Sequence, residues 1–241
     1  MEWIGDARLA AGAEAVWYLE TAFTPGAQLG TVYDDPSTPV VVTGIERLTT
    51  IRTPSGRLIV DAPWHDDEIM EYENGSPTRP PRELAERIPP GTYPVEIAWT
   101  AGQYEFFGEH FDGIACAATR IRLSDDPVAG WEMGLGIHDD LDRLQPGEEV
   151  RFFSDANIGC FADAEAWPTL VAPFRTFVNG RSVERASERL PDNCERVSDE
   201  TRRADLVTFT AESGGVVWLG RTRTGAVATI VVTSGLAGAK A

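Results

Sequence analysis

Two carboxylates close in sequence, Asp155 and Asp163, have the residue type and spacing best suited to chemistry in this chain. They lie in residues 150–167, VRFFSDANIGCFADAEAW. A pair of acids held together can bind a hard cation or divide the roles of general acid and base. The stretch opens as a strand, with Val150, Phe152 and Ser154 on one face and Arg151, Phe153 and Asp155 on the other. Asp155-Ala156-Asn157 then turns, Gly159 permits a reversal, and Asp163 stands in a short helical run starting near Phe161. On this reading the two acids face each other near a second glycine-rich loop, Ser213-Gly214-Gly215, whose amides suit an anion or carboxylate. The candidate binding set is therefore Asp155, Asp163, Ser213, Gly214, Gly215 and Trp218. The plainer reading of the same residues is structural: Asp155 satisfies turn amides, and Asp163 caps the following helix.

Other groupings carry less chemistry. Asp61, His65, Asp66, Asp67 and Glu68 follow one strand, His138-Asp139-Asp140 follows another, and His110 follows Glu109. Were two such loops to meet, histidine and carboxylate ligands would converge. No His-Glu-x-x-His or His-x-His spacing supports this, so neither a metal nor any other cofactor is expected. Ser55 and Ser213 sit in glycine-bearing turns but outside any Gly-x-Ser-x-Gly, and read as turn serines. Cys160, beside Gly159, reads as a small buried residue. Trp64, Trp99, Trp131, Trp167 and Trp218 read as core, with one or two available to line a pocket.

The elements that must position these residues follow from composition and periodicity. The chain has 241 residues, 42% of them hydrophobic, which suffices for a sizeable core in a single β-rich domain spanning 1–241. Residues 1–38 are weakly patterned, and the tail 235–241 is expected to fray. Residues 16–23 suit a strand or a short helix. Residues 48–64 read as two strands about the turn Thr53-Pro54-Ser55-Gly56, a hairpin. Residues 81–88 suit a short helix ended by Pro89-Pro90-Gly91. Alternating runs at 93–100, 113–123 and 131–137 are half-buried strands. Residues 168–178 form the clearest helix, with Pro168 in its first turn and Asn179-Gly180 at its end. Residues 182–190 read as a more polar helix, and 192–203 as charged and mobile. Three further strands, 206–211, 216–221 and 226–233, are joined by hairpin-like separators. The fold class is thus α+β, mainly antiparallel β, with two packed sheets and a short helical insertion around 161–190.

Charge bounds the partners. Thirty-eight acids against 21 bases give a net charge of −17. Such a field repels nucleic acid and anionic membranes and favours a basic partner, such as a basic protein, or a cation; the plainer reading is that an acidic surface only keeps the protein soluble. No apolar run is long enough to span a membrane, the start MEWIGDARLAAG has no apolar signal-peptide region, and the three cysteines are scattered. A cytoplasmic protein with free thiols is expected.

Several pieces, in order, resemble one family: PSGRLIVDAP (54–63), PPGTYPVEI (89–97), ACAATRIRLSDDPVAGWEM (115–133), FFSDANIGCFAD (152–163) and LVTFTAESGG (206–215). The ordered set is similar to the bacterial family catalogued as domain of unknown function number 4241, across residues 43–234. The resemblance implies a bacterial, soluble, single-domain protein and brings no activity with it. It implies that Asp155 and Asp163 occupy family positions. Where family members carry Ser-Gly, then Gly-Asp-Gly, then an aromatic, this chain has Ser213-Gly214-Gly215-Val216-Val217-Trp218, without the Asp. Two readings of function follow: a non-enzymatic acidic binding or immunity-type protein, and a metal-dependent or small-molecule hydrolase centred on Asp155 and Asp163.

Overall fold

The computed structural model describes residues 6–31, 39–63, 72–73, 76–77, 80–106, 109–145, 148–154, 157–178, 187–191, 194–211 and 214–234. Everything structural below concerns these residues. Most of the described chain is antiparallel strand in two sheets, with a short helix outside each.

The large sheet contains β1 (Gln28–Thr31), β2 (Pro39–Thr53), β7 (Gly91–Phe106), β8 (Glu109–Arg122), β9 (Gly130–Met133), β10 (Arg151–Phe152), β15 (Gly215–Arg221) and β16 (Val227–Ser234). Its order is β1-β2-β7-β8-β16-β15-β10, with β9 also on β15. The small sheet contains β3 (Arg57–Asp61), β6 (Glu83–Arg87), β11 (Ile158–Asp163), β12 (Glu188–Arg189), β13 (Glu195–Asp199) and β14 (Ala204–Thr210). Its order is β12-β13-β14-β11-β3-β6. A separate two-stranded ribbon pairs β4 (Tyr72–Glu73) with β5 (Ser76–Pro77).

Alternation of side chains across each strand sorts the apolar residues into layers. Leu58, Val60, Phe161, Val207 and Phe209 of the small sheet face Ile51, Val95, Ile121, Val217, Leu219, Ile230 and Val232 of the large one, all buried. The opposite face of the small sheet, through Ile59, Cys160, Ala162 and Leu206, packs on Trp167, Leu170, Val171 and Phe174 of α2 (Trp167–Val178). The opposite face of the large sheet, through Val42, Ala98, Ala118, Trp218 and Val231, packs on Leu19 of α1 (Ala13–Thr21) and its neighbours. The order of layers is therefore α1, large sheet, small sheet, α2. No described helix is long and apolar enough to cross a membrane.

Tertiary pairing redirects several local expectations. The Thr53–Gly56 turn forms, with Gly56 N donating to Thr53 O, but β2 and β3 do not pair as a hairpin. They belong to different sheets, so this turn is a corner. Gly56 has φ +66, and a Cβ there would overlap the Ile88 carbonyl oxygen, so the corner requires glycine. The link from β14 to β15 is a second corner between sheets, whereas β15 and β16 do form a hairpin.

The segment expected as a helix at 81–88 is instead β6. Its register with Arg57 and Ile59, and its bridge from Leu84 to Gly136, recruit its backbone into a sheet. Part of the expected helix at 182–190 lies outside the described residues, and Glu188–Arg189 is strand β12. The charged stretch 192–203 carries β13, paired with β14. The expected strand at 131–137 spans both sheets. Gly130–Met133 pairs with β15, then Ala85 N donates to Leu135 O and Ile137 N to Glu83 O, joining β6.

Trp131, 8% exposed, packs in the layer between α1 and the large sheet. Trp131→Ala is expected to cost about 3–5 kcal/mol, read as a lowered denaturant midpoint at constant slope.

Candidate functional site

Asp155 and Ser213 lie outside the described residues. The other members of the expected set are placed by strand geometry. β11 is extended from Ile158 through Asp163, so no helix starts near Phe161 and no reversal occurs at Gly159. Gly159 supplies room instead: a Cβ there would press on the rings of Phe209 and Phe152. The five steps from Ile158 to Asp163 at ~3.3 Å each put Asp163 about 17 Å from the Asn157 end. That end is where Ala211 N donates to Asn157 O, beside the corner that carries Gly214. Asp163 and the 214–215 segment therefore occupy opposite ends of the strand.

Gly214 and Gly215 serve close packing. Gly214 has φ +103, and a Cβ on it would overlap the Phe152 carbonyl oxygen; one on Gly215 would press on Val232 and Thr233. Trp218 is 5% exposed within β15, opposite Val231 and Met133.

Asp163 is buried, and both its oxygens are occupied by the fold. Oδ2 accepts from Ser55 N at 2.9 Å and Ser55 Oγ at 2.7 Å. Oδ1 accepts from Glu165 N at 3.0 Å and Ala166 N at 3.3 Å, in the turn that leads into α2. One carboxylate thus ties the sheet corner to the approach of the outer helix. Next to it, Arg57 donates from Nε and Nη2 to the two oxygens of Glu83 at 2.8 and 2.7 Å.

The strongest polar cluster is one that sequence reading missed. Asp205, fully buried in β14, accepts from Arg52 N (2.8 Å), Arg52 Nε (2.9 Å) and Arg52 Nη2 (2.8 Å). It also accepts from Arg196 Nη2 (2.9 Å) and Ser198 Oγ (2.7 Å). Arg52 further grips exposed Glu200 through both terminal nitrogens. Burial pushes the Asp205 carboxyl up, but the bonds from Arg52, Ser198 and Arg196 outweigh it and hold the group below its usual range. The Arg52 guanidinium is pushed up, first by Asp205 and then by Glu200. An acid opening the apolar run ADLVTFT was the available signal: such a residue must either be exposed or find cations.

Asp61 at the end of β3 and Asp139 in the loop after β9 are linked through an arginine. Asp61, fully buried, accepts from Arg82 N at 2.8 Å, while Arg82 Nη2 donates to Asp139 Oδ2 at 3.0 Å and Gly134 O at 2.7 Å. Arg82 therefore links the two acids, with its backbone amide on Asp61 and its guanidinium on Asp139. No group of three or more potential ligands occurs among the described residues. His65, Asp66, Asp67 and Glu68 lie outside them. Cys160 faces Asp61 across strands, and burial first, then the Asp61 charge, pushes its thiol up, away from nucleophilic thiolate.

Open grooves mark the surface of the described residues. One, of about 750 Å³, lies between Asp126–Ala129 and Thr222–Thr224. Another, of about 520 Å³, is lined by Thr43, Gly44, Ile45, Glu46, Trp99 and Ile114. Of the tryptophans singled out, Trp131, Trp167 and Trp218 are core, Trp99 lines this groove, and Trp64 lies outside the described residues.

Asp163→Ala strands the Ser55 and α2-approach donors and is expected to cost about 1–3 kcal/mol, with Ser55→Ala costing less, both read by denaturant unfolding. Asp205 titrates at lower pH folded than unfolded, so its contribution is full above the unfolded carboxylate range and is lost as pH falls through the folded value. Asp205→Asn should therefore lower stability at neutral pH and flatten its acid limb, measured as unfolding free energy against pH.

A family model described as "Protein of unknown function (DUF4241)" matches residues 51–235. Comparison with curated proteins and with solved structures gives no match.

Proposed function

The chain belongs to the DUF4241 family, and from the geometry of its own residues we propose that it is a non-enzymatic, acidic binding protein of immunity type, engaging a basic protein partner. The observation that carries the reading is the state of Asp163. A hydrolase centred on Asp155 and Asp163 needs free carboxylate oxygens, and Asp163 spends its oxygens on Ser55, Glu165 and Ala166. Asp61 and Asp205 likewise accept from Arg82 and Arg52 within the fold. The remaining acidity is outward. Glu14, Glu20, Glu46, Asp112, Asp125, Asp126 and Asp142 are all exposed, on a chain of net charge −17. A surface of one dominant sign accelerates encounter with the opposite sign and repels polyanions.

A labelled arginine-rich peptide should bind in fluorescence anisotropy, whereas a polyglutamate peptide of equal length should not. Raising salt from about 0.02 to about 0.5 M should slow association by an order of magnitude or more, because screening shortens the reach of the field. An association rate indifferent to salt, or equal binding of both peptides, would overturn the reading.

A further inference from the structure

We propose that the groove formed by Trp99, Ile114 and Glu46 is the docking site for an arginine side chain presented by the basic protein partner. This rests on the binding reading above and gives it a place.

The groove exists because the β7–β8 hairpin outruns its neighbours. β16 pairs with β8 only from Ala118 to Arg122, so Glu109 to Ala117 of β8 have β7 alone beside them among the described strands. On this overhang Trp99 stands opposite Cys116, Ala101 opposite Ile114, and Gln103 opposite Asp112, with no register shift between. Alternation puts Trp99, Ile114 and Asp112 on one face. Ile114, 73% exposed, leaves apolar surface beside the indole on that face.

The polar member of the groove fixes the chemistry of its occupant. Trp99 Nε1 donates to Glu46 Oε2 at 3.0 Å, holding a carboxylate beside the indole. No cation pairs with Glu46 or Asp112 among the described residues, and Arg47 alternates onto the opposite face, where it stands across from Glu96. Several inward or half-buried acids are treated differently: Glu83, Glu96, Glu132, Asp139 and Asp205 each pair with an arginine. The molecule also carries an internal version of the arrangement. The Arg120 guanidinium lies 4.0 Å from the centre of the Phe23 ring while its Nη2 pairs with Glu96 at 2.7 Å. An aromatic face beside a carboxylate is what a guanidinium prefers, because it can stack and donate at once. The groove offers that pair, and Ile114 receives the methylene stem of the same side chain.

The test uses the full chain and three labelled peptides of equal length, rich in arginine, lysine or glutamine. Arginine peptide should bind more tightly than lysine peptide at equal charge. Its titration should shift the Trp99 Nε1–H resonance, a readout that needs no variant. Trp99→Leu and Ile114→Ser should each weaken it by about tenfold, with circular dichroism unchanged. Glu46→Gln should weaken binding, whereas Glu14→Gln and Glu20→Gln, which remove the same charge from α1, should not. Equal loss across all three glutamine variants, with Trp99→Leu and Ile114→Ser unaffected, would overturn the groove and leave a diffuse acidic binding surface standing. Equal affinity for arginine and lysine peptides would also overturn it. Free arginine amide binding as tightly as the peptide would replace a protein partner with a small guanidinium ligand and overturn the proposal in that form. Failure of every basic peptide to bind would sink this inference together with the reading it rests on.

Discussion

The corner between β2 and β3 is held by carboxylates that the small sheet sends into the interior, and the packing of the two sheets depends on it. Within six residues, Arg52 is gripped by Asp205, Ser55 by Asp163 and Arg57 by Glu83. Asp205 reaches Arg52 near the end of β2 across the sandwich, and Asp163 reaches the corner from the strand beneath. Buried charges of this kind cost several kcal/mol each to desolvate, so the clamp adds little net stability over an apolar substitute. Its effect is on specificity. Any slip of β3 against β11, or of β14 against β2, would leave a buried carboxylate or guanidinium without its mate, at roughly 3–5 kcal/mol for each.

Steric room does the complementary work. Phe161 and Phe209 meet in the core with ring centres 4.6 Å apart, and Gly159 clears the space that Phe209 and Phe152 fill. Gly214 and Gly215 let the second corner pass against Phe152 and β16. Small residues also seat the outer layer, where Ala98, Ala117 and Ala118 let α1 approach closely enough for Tyr18 to donate to the Ala117 carbonyl at 3.0 Å. Charge fixes the register, and glycine and alanine then permit native packing density at that register.

This division of labour shapes the surface as well. Several acids that face inward are matched with arginines, which takes up Arg52, Arg57, Arg82, Arg120 and Arg221 among the chain's 21 bases. The excess acids are left outside, so the outward field is more one-sided than the composition alone would make it. The overhanging β7–β8 hairpin adds exposed apolar area to that field.

Periodicity and composition by themselves determined a great deal: mainly antiparallel strands in two sheets, the strands around Tyr93, Ala118 and Ile230, the helix begun near Pro168, the turn at Thr53–Gly56, and the net charge. These are local or additive properties, and alternation or a turn signal reports them directly. Whether a turn closes a hairpin or changes sheet was decided by pairing at long range. So was the fate of residues 81–88, whose short pattern fits helix or strand equally until Arg57, Ile59 and Gly136 arrive as partners. The candidate site divides the same way. The structural role of Asp163 was legible as a cap, but its bond to Ser55, 108 positions earlier, was not. Asp205 gave almost no sign, because an acid at the edge of an apolar run is judged by what surrounds it. Residue type fixes which groups carry charge or occupy space; only the folded chain brings Arg52, Arg196 and Ser198 to Asp205, since a hydrogen bond depends on distance in space and not on separation along the sequence.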